Sequence, residues 1–325
     1  MLVTGGAGFI GSHLVAALID HGHHVRVIDD LSSGNITNIQ AFLGTPELEF
    51  VEASALDRNV LGEGIEWCEM VFHLAAAVGV KKVIYDPVGS TLTNIDTTSL
   101  VLELCSKFDK RVLITSTSEV YGNSTELPFR EDANLVIGPT EQGRWSYACT
   151  KALDEFLTLA YHQQYGLPVI VVRLFNTVGP RQAGAFGMVV PRFAQQALKE
   201  LPITIFGDGS QSRCFGHVDD IVRGFMGLYD NPDAIGQVFN IGNDEEITIS
   251  ELAELIIEIT DSSSEIEYIP NDQVYDGKFA DLQRRVPDLQ KINRFIGYKP
   301  QMSLRGTIES VVDYYQNQGA EFDLN

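Results

Sequence analysis

The chain has 325 residues, an ordinary share of hydrophobic residues and a formal net charge of −21. That length can bury a large core, as one elaborated α/β domain or two, and the charge argues against nucleic acid or an anionic membrane as partner. No run approaches the ~20 apolar residues of a membrane span. With the first strand at residue 2 no signal peptide is expected, and Cys68, Cys105, Cys149 and Cys214 are scattered without metal-ligand spacing. The expectation is a cytoplasmic protein with reduced thiols and no metal, whose anion-binding cations must be placed locally against the overall field.

The first element is the short apolar strand Leu2-Val3-Thr4, which runs directly into Gly5-Gly6-Ala7-Gly8-Phe9-Ile10-Gly11. An apolar helical pattern (Phe9, Ile10, Leu14, Ala17, Leu18) follows at once. Strand, glycine turn and helix are in the order of a dinucleotide site: Gly5, Gly8 and Gly11 allow backbone to approach a pyrophosphate at the helix N-terminus. A second strand, His24 to Ile28, ends at Asp29, ~20 residues after the glycines, where an acid holds the adenosine ribose hydroxyls. Its charge would repel a 2′-phosphate, so NAD is favoured over NADP.

Further along, Val51 ends a candidate strand and Met70 to Ala75 forms another. Residues 94–108 read as a helix with Leu100, Val101, Leu104 and Phe108 on one side. Val112 to Thr115 is an apolar strand carrying Thr117 at its C-terminal end, 146–165 is a helix, and Val169 to Leu174 is a buried strand. This alternation predicts an α/β, Rossmann-type doubly wound parallel sheet over residues 1–175, with some later segments returning to it. From Asn176 the rhythm changes to interleaved Gly, Pro and Arg, with short helices at 187–200, 219–229, 250–260 and 303–317. Residues 176–325 are therefore expected to form mainly a smaller substrate-binding α/β domain that leaves a cleft.

Two segments carry the chemistry. Ser116-Thr117-Ser118-Glu119-Val120-Tyr121-Gly122 follows the strand, and Tyr147-Ala148-Cys149-Thr150-Lys151 opens the helix. Tyr147 and Lys151 share one helix face. A tyrosine hydroxyl ordinarily ionises near pH ~10, and an adjacent ammonium brings that value toward the working range. Thr117 adds a hydroxyl for the reacting oxygen. Together they can take a proton from an alcohol while a hydride leaves its carbon. An isolated Tyr-x-x-x-Lys is weak, and the N-terminal glycines are what give it weight.

The ordered motifs Thr4 to Gly11, His73-Leu74-Ala75-Ala76, Ser116 to Gly122, Tyr147 to Lys151, Arg173-Leu174-Phe175-Asn176, Val178-Gly179-Pro180-Arg181, Phe206-Gly207-Asp208-Gly209, Val218-Asp219-Asp220 and Val238 to Gly242 make the chain resemble, over almost its whole length, the extended short-chain dehydrogenases/reductases that act as nucleotide-sugar epimerases, dehydratases and decarboxylases. The resemblance implies a tightly held NAD regenerated in each turnover, in contact with Leu74 and Ala75 among others. It makes Tyr147 the base at the sugar C4 hydroxyl, Lys151 its acidifier and ribose ligand, and Thr117 the C4 oxygen donor. Ser118 and Glu119 direct the fate of the 4-ketone; in a dehydratase Glu119 would remove the C5 proton, and otherwise it is a support hydrogen-bonded to backbone.

Thr-Ser-Glu, Arg144-Trp145 before Tyr147, and Gln211 to Phe215 are similar to UDP-glucuronate and aminoarabinose decarboxylases, which makes UDP-glucuronate decarboxylation the leading reading. Ala76 to Lys82 resembles epimerases instead, so 4-epimerisation of a UDP-sugar or UDP-uronate is second and 4,6-dehydration third. A catalytically silent NAD-binding regulator is disfavoured by the intact Thr117, Tyr147 and Lys151. Asn176, Arg181, Arg213 and Arg285 are candidates for the substrate nucleotide and phosphates. Phe206 packs on the base or in the core, and Lys81 meets a substrate acid or solvent. Ser54-Ala55 stands where many relatives have an adenine-binding Asp, with Asp57 nearby but out of register. His73 and His217 read as structural. The resemblance also implies a homodimer built by helices 94–108 and 146–165.

Overall fold

Short apolar strands alternating with helices leave one economical arrangement, a parallel sheet with a helical layer on each face. The computed structural model describes residues 1–79, 85–184, 188–270 and 282–317. The first part contains β1 (Leu2–Thr4), α1 (Phe9–Asp20), β2 (Val25–Asp29), β3 (Leu48–Glu52), α2 (Arg58–Trp67), β4 (Met70–His73), α3 (Pro87–Phe108), β5 (Arg111–Thr117), α4 (Arg144–Tyr165) and β6 (Val169–Leu174). Then come β7 (Thr177–Val178), α5 (Val189–Leu198), β8 (Ile203–Phe206), β9 (Ser212–Cys214), β10 (Gly216–His217), α6 (Val218–Asp230) and β11 (Gln237–Ile241). The chain continues with β12 (Glu246–Thr248), α7 (Ile249–Thr260), β13 (Ile266–Ile269), α8 (Gln290–Ile296) and α9 (Leu304–Asn317).

Seven strands form one parallel sheet in the order β11-β6-β5-β4-β1-β2-β3. The order reverses between β1 and β4, and this switch point opens a crevice at the strands' C-terminal ends. Val112, Leu113 and Ile114 on β5 and Val169 to Val172 on β6 are fully buried. These strands read as continuous apolar runs because helices cover both faces. One face packs α1 and α6 through Leu14, Leu18, Ile221 and Phe225. The other packs α2 and α3 through Leu61, Ile65, Val101 and Leu104. A separate cluster joins α5, β8, α7 and α9 through Phe193, Ile205, Leu252 and Ile308.

Two elements depart from the sequence reading. The helix expected at 94 begins at Pro87, with Asp86 as its cap accepting from the Gly89 N–H at 3.0 Å; Gly89 and Ser90 in its first turn obscure the helical pattern. Helix α2, unmarked by apolar spacing, starts where the Asp57 carboxylate accepts from the N–H groups of Asn59 and Val60. That cap explains Asp57 without an adenine contact.

Candidate active site

The strands' C-terminal ends open onto a cleft of about 910 Å³. One end of it is the turn after β1. Gly5 has φ +74°, and a Cβ there would lie 2.8 Å from the Ala75 nitrogen, so only glycine is at ease in this position. A Cβ on Gly11 would run into the Gly5 carbonyl oxygen, which would prevent α1 from starting so close to β1. Gly8 precedes α1 with no side-chain cap, and Gly8, Phe9, Ile10 and Gly11 line the cleft. The helix's first N–H groups are thus offered to an anion.

Asp29 ends β2 and is buried. Its Oδ2 accepts from the Ala7 N–H and its Oδ1 from the Leu31 N–H, each at 2.9 Å. Desolvation raises its pKa, and these backbone bonds oppose the rise. Leu74, Ala75, Ser54 and Ala55 complete this end of the wall. The donor set fits NAD, with a glycine cradle for the diphosphate and a fixed carboxylate for the ribose diol. When bound, NAD accepts a hydride from a carbinol carbon and can return it.

Facing this cradle are Thr117, Ser118, Glu119, Tyr147 and Lys151. Thr117 ends β5, and its Oγ1 accepts from the Glu119 N–H at 3.2 Å, which caps the turn Ser118–Tyr121. Accepting there leaves its hydroxyl proton to donate to a ligand. Tyr147 and Lys151 lie one turn apart at the start of α4. The spacing predicts a Tyr147 acidified by Lys151, and the structure differs. Lys151 Nζ lies 2.8 Å from Asp154 Oδ2, both side chains being buried. The Tyr147 hydroxyl is held above its ordinary pKa, first by desolvation and then by the negative charges of Glu119 and Asp154. The carboxylate of Asp154 lies against the ammonium that the helix spacing alone would direct at Tyr147.

Glu119 is bracketed by two cations. Its Oε1 lies 2.5 Å from Arg285 Nη1 and its Oε2 3.3 Å from Arg144 Nη2. Both arginines are buried, at 7% and 8% exposure. The lone pairs of Glu119 are therefore engaged, which makes it a poor free base for a C5 proton. In the sequence Arg144 stands out only as part of the Arg144-Trp145 motif. Its place three residues before Tyr147 on a helix was the available signal, since that spacing puts both on one face.

The remaining candidates line the same cleft, Lys81 excepted, which lies outside the described residues. Asn176 donates to the Cys214 carbonyl at 3.2 Å. Arg181 has a left-handed φ of 69°, and its buried Nη1 has no hydrogen-bond partner among the described residues. Arg213 is buried and donates to the Ser212 carbonyl at 2.7 Å, so it is no surface ion pair. Phe206 is half-buried at the cleft wall, with the Arg192 guanidinium 4.1 Å from its ring centre. His73 is buried between Thr4 and Thr98 hydroxyls, and desolvation pushes it down to about 3. His217 accepts from the Asp219 N–H at the start of α6.

Among the described residues, no helix is long and apolar enough to cross a membrane, and no cluster of His, Cys, Asp and Glu could hold a metal ion. A dinucleotide cradle facing a Thr-Tyr-Lys set defines an enzyme class that oxidises and reduces at a carbinol carbon. Residues 2–311 match the family model of GDP-mannose 4,6 dehydratase, and the chain belongs to this family of extended short-chain dehydrogenases/reductases. It is 38% identical over 316 residues to a UDP-N-acetyl-alpha-D-glucosaminuronate decarboxylase of Bacillus cytotoxicus, covering 97% of each chain. It is 36% identical to UDP-glucuronic acid decarboxylase 1 of Arabidopsis thaliana, covering 98% of this chain and 70% of that one. The structure of a Bacillus cereus UDP-glucuronic acid 4-epimerase, solved with UDP-glucuronic acid and NAD, superposes with a TM-score of 0.88 at 30% identity, covering 98% and 99% of the chains.

Proposed function

We propose that this enzyme decarboxylates UDP-glucuronate through a 4-keto intermediate, with NAD as the cofactor regenerated in each turnover. The coarser activity, NAD-dependent modification of a nucleotide sugar, is that of its family. The observation that carries the finer reading is the pair Arg144 and Arg285 converging on Glu119 beside Thr117. In a chain of net charge −21, two buried guanidinium groups against the one carboxylate of Glu119 leave an excess positive charge at the reacting end of the cleft, which favours an anionic sugar and so a UDP-uronate. Relatives that decarboxylate UDP-uronates support the same reading.

Tyr147 takes the proton of the C4 hydroxyl as C4 is oxidised, and Thr117 donates a hydrogen bond to the C4 oxygen. The resulting ketone is β to the C5 carboxylate. The C5–C6 bond breaks, CO2 leaves, and the electron pair moves onto the C4 oxygen, where Thr117 and Ser118 hold the enolate. C5 then takes a proton from water, and return of the same hydride to the C4 ketone would give UDP-xylose and restore the cofactor, whereas early release of the 4-keto pentose would leave the cofactor reduced. Arg181, Arg213 and Asn176 hold the diphosphate and nucleotide, with Phe206 and Arg192 at the base. Lys151 binds the nicotinamide ribose.

UDP-uronate 4-epimerisation is the second reading, favoured by the likeness to the UDP-glucuronic acid 4-epimerase and by the same C4 oxidation. Dehydration is weaker because Glu119 is engaged. The test is mass spectrometry after incubation with UDP-glucuronate, UDP-N-acetylglucosaminuronate, UDP-glucose and GDP-mannose. Loss of CO2 from UDP-glucuronate is expected. An isomer of unchanged mass selects the epimerase, loss of water the dehydratase, and untouched UDP-glucuronate refutes the proposal.

The second part of the reading is a homodimer in the cytoplasm. The free cysteines, three of them buried, accord with a reducing compartment. Val88 and Leu92 on α3 and Leu153 and Phe156 on α4 are 69%, 52%, 47% and 67% exposed. They recur at helical spacings on two helices that pack together, as a subunit interface requires. Light scattering should give a dimer for the wild type and a monomer for Leu153→Asp/Phe156→Asp; a monomeric wild type refutes the interface.

A further inference from the structure

Directly behind the catalytic pair lies a buried carboxylate that the reaction above does not use. Asp154 is 1% exposed and accepts from Lys151 Nζ at 2.8 Å. It also takes a hydrogen bond from the Thr98 hydroxyl on α3. Thr98 Oγ1 lies 3.4 Å from His73 Nε2, and His73 Nδ1 lies 2.8 Å from Thr4 Oγ1. Thr4 Oγ1 in turn accepts from the Ala75 N–H at 3.4 Å, in the wall of the dinucleotide cradle. Lys151, Asp154, Thr98, His73 and Thr4 are each no more than 2% exposed. A continuous buried chain of polar groups therefore runs from the ammonium to the cradle, and Asp154 is its anion.

Packing alone does not ask for a charge at this position. A buried ion pair is often replaceable by apolar groups of similar volume with no loss of stability. We propose that Asp154 is a positioning residue that anchors the Lys151 ammonium and, by cancelling its field, sets the proton affinity of Tyr147. This rests on Tyr147 being the proton acceptor and is independent of which nucleotide sugar is turned over. Other charges face the same group. From α4, Glu155 is engaged by Arg173 at 2.7 Å. From the turn after β5, Glu119 is held by Arg144 and Arg285. From β4, His73 is kept neutral by its burial. Asp154 and Lys151 are left as the pair whose balance one substitution changes.

Asp154→Asn keeps the side-chain shape, removes a negative charge near Tyr147 and leaves the ammonium uncompensated. Both changes favour the phenolate, so the Tyr147 pKa falls. Because a base works deprotonated, the acid limb of kcat/KM moves to lower pH. The experiment is ultraviolet difference absorption of the phenolate in the purified, substrate-free holoenzyme, with Tyr147→Phe as the subtraction, together with the pH profile of kcat/KM. The variant should show about tenfold more Tyr147 phenolate at a fixed alkaline pH, corresponding to a shift of about one unit. An unchanged phenolate signal and an unmoved limb, with turnover merely lower at every pH, would mean a structural role and overturn the proposal. Should Asp154→Asn not accumulate folded, Asp154→Ser replaces it. It removes the same charge with a smaller side chain and should shift the signal the same way, and no shift overturns the proposal. The phenolate signal needs no substrate, so it stands or falls separately from the decarboxylase assignment.

Discussion

Turnover of nucleotide sugar falls by about 10²–10⁴-fold in Tyr147→Phe, while the protein remains folded and still binds NAD. The ring stays and only the hydroxyl is lost. Among the described residues that hydroxyl makes no hydrogen bond, so its removal orphans no buried partner. What disappears is the atom that takes the C4 proton, and nothing at hand replaces it. Glu119 is bracketed by Arg144 and Arg285, and Thr117 keeps its proton at neutral pH. Product formation by mass spectrometry reads the loss, and cofactor titration by fluorescence reads the retained binding. Turnover within twofold of wild type would remove Tyr147 from the reaction.

A second large effect is on stability. Arg173 on β6 donates to both carboxylate oxygens of Glu155, at 2.7 Å from Nη2 and 3.0 Å from Nε. Its Nη1 reaches the Tyr121 hydroxyl at 3.0 Å, and the Ser116 hydroxyl donates to Glu155 at 2.5 Å. Burial alone would lower the Arg173 pKa, but the bonds from Glu155 and Tyr121 raise it, so the guanidinium stays charged. Arg173→Met leaves the Glu155 charge buried without its cation and should cost about 3–5 kcal/mol in urea unfolding. The double variant Arg173→Met/Glu155→Leu should recover part of that loss, because no uncompensated charge remains. An unchanged midpoint in the single variant would show that the network carries no stability. The network also joins β5, the Ser118–Tyr121 turn and α4, so loosening it moves the elements that carry Thr117 and Tyr147.

Much of this site was legible before any coordinates. Local rules suffice for Gly5, Gly8, Gly11 and Asp29, because a glycine turn between strand and helix and an acid at the end of the next strand are set by backbone sterics and charge over a few residues. Continuous apolar runs such as Val169 to Val172 likewise announce strands buried on both faces. Helix α2 and the early start of α3 were not legible, since Gly62, Gly64, Gly89 and Ser90 blur the apolar spacing and the capping bonds of Asp57 and Asp86 decide where the helices begin. Arg144 was legible only in part, through its spacing from Tyr147.

The sequence by itself determined the dinucleotide cradle, the doubly wound sheet and the Thr117, Tyr147 and Lys151 set, because each follows from residue types at short, fixed spacings. Tertiary structure alone decided how those groups are charged. Glu119 and Arg285 are 166 positions apart in the chain, yet they form one ion pair. Asp154 faces Thr98 only because α3 and α4 lie side by side. Coulomb and desolvation energies depend on distance and burial, not on separation along the chain. That is why the helix spacing promises an acidified tyrosine while the folded protein, through burial first and then the charges of Glu119 and Asp154, withholds it.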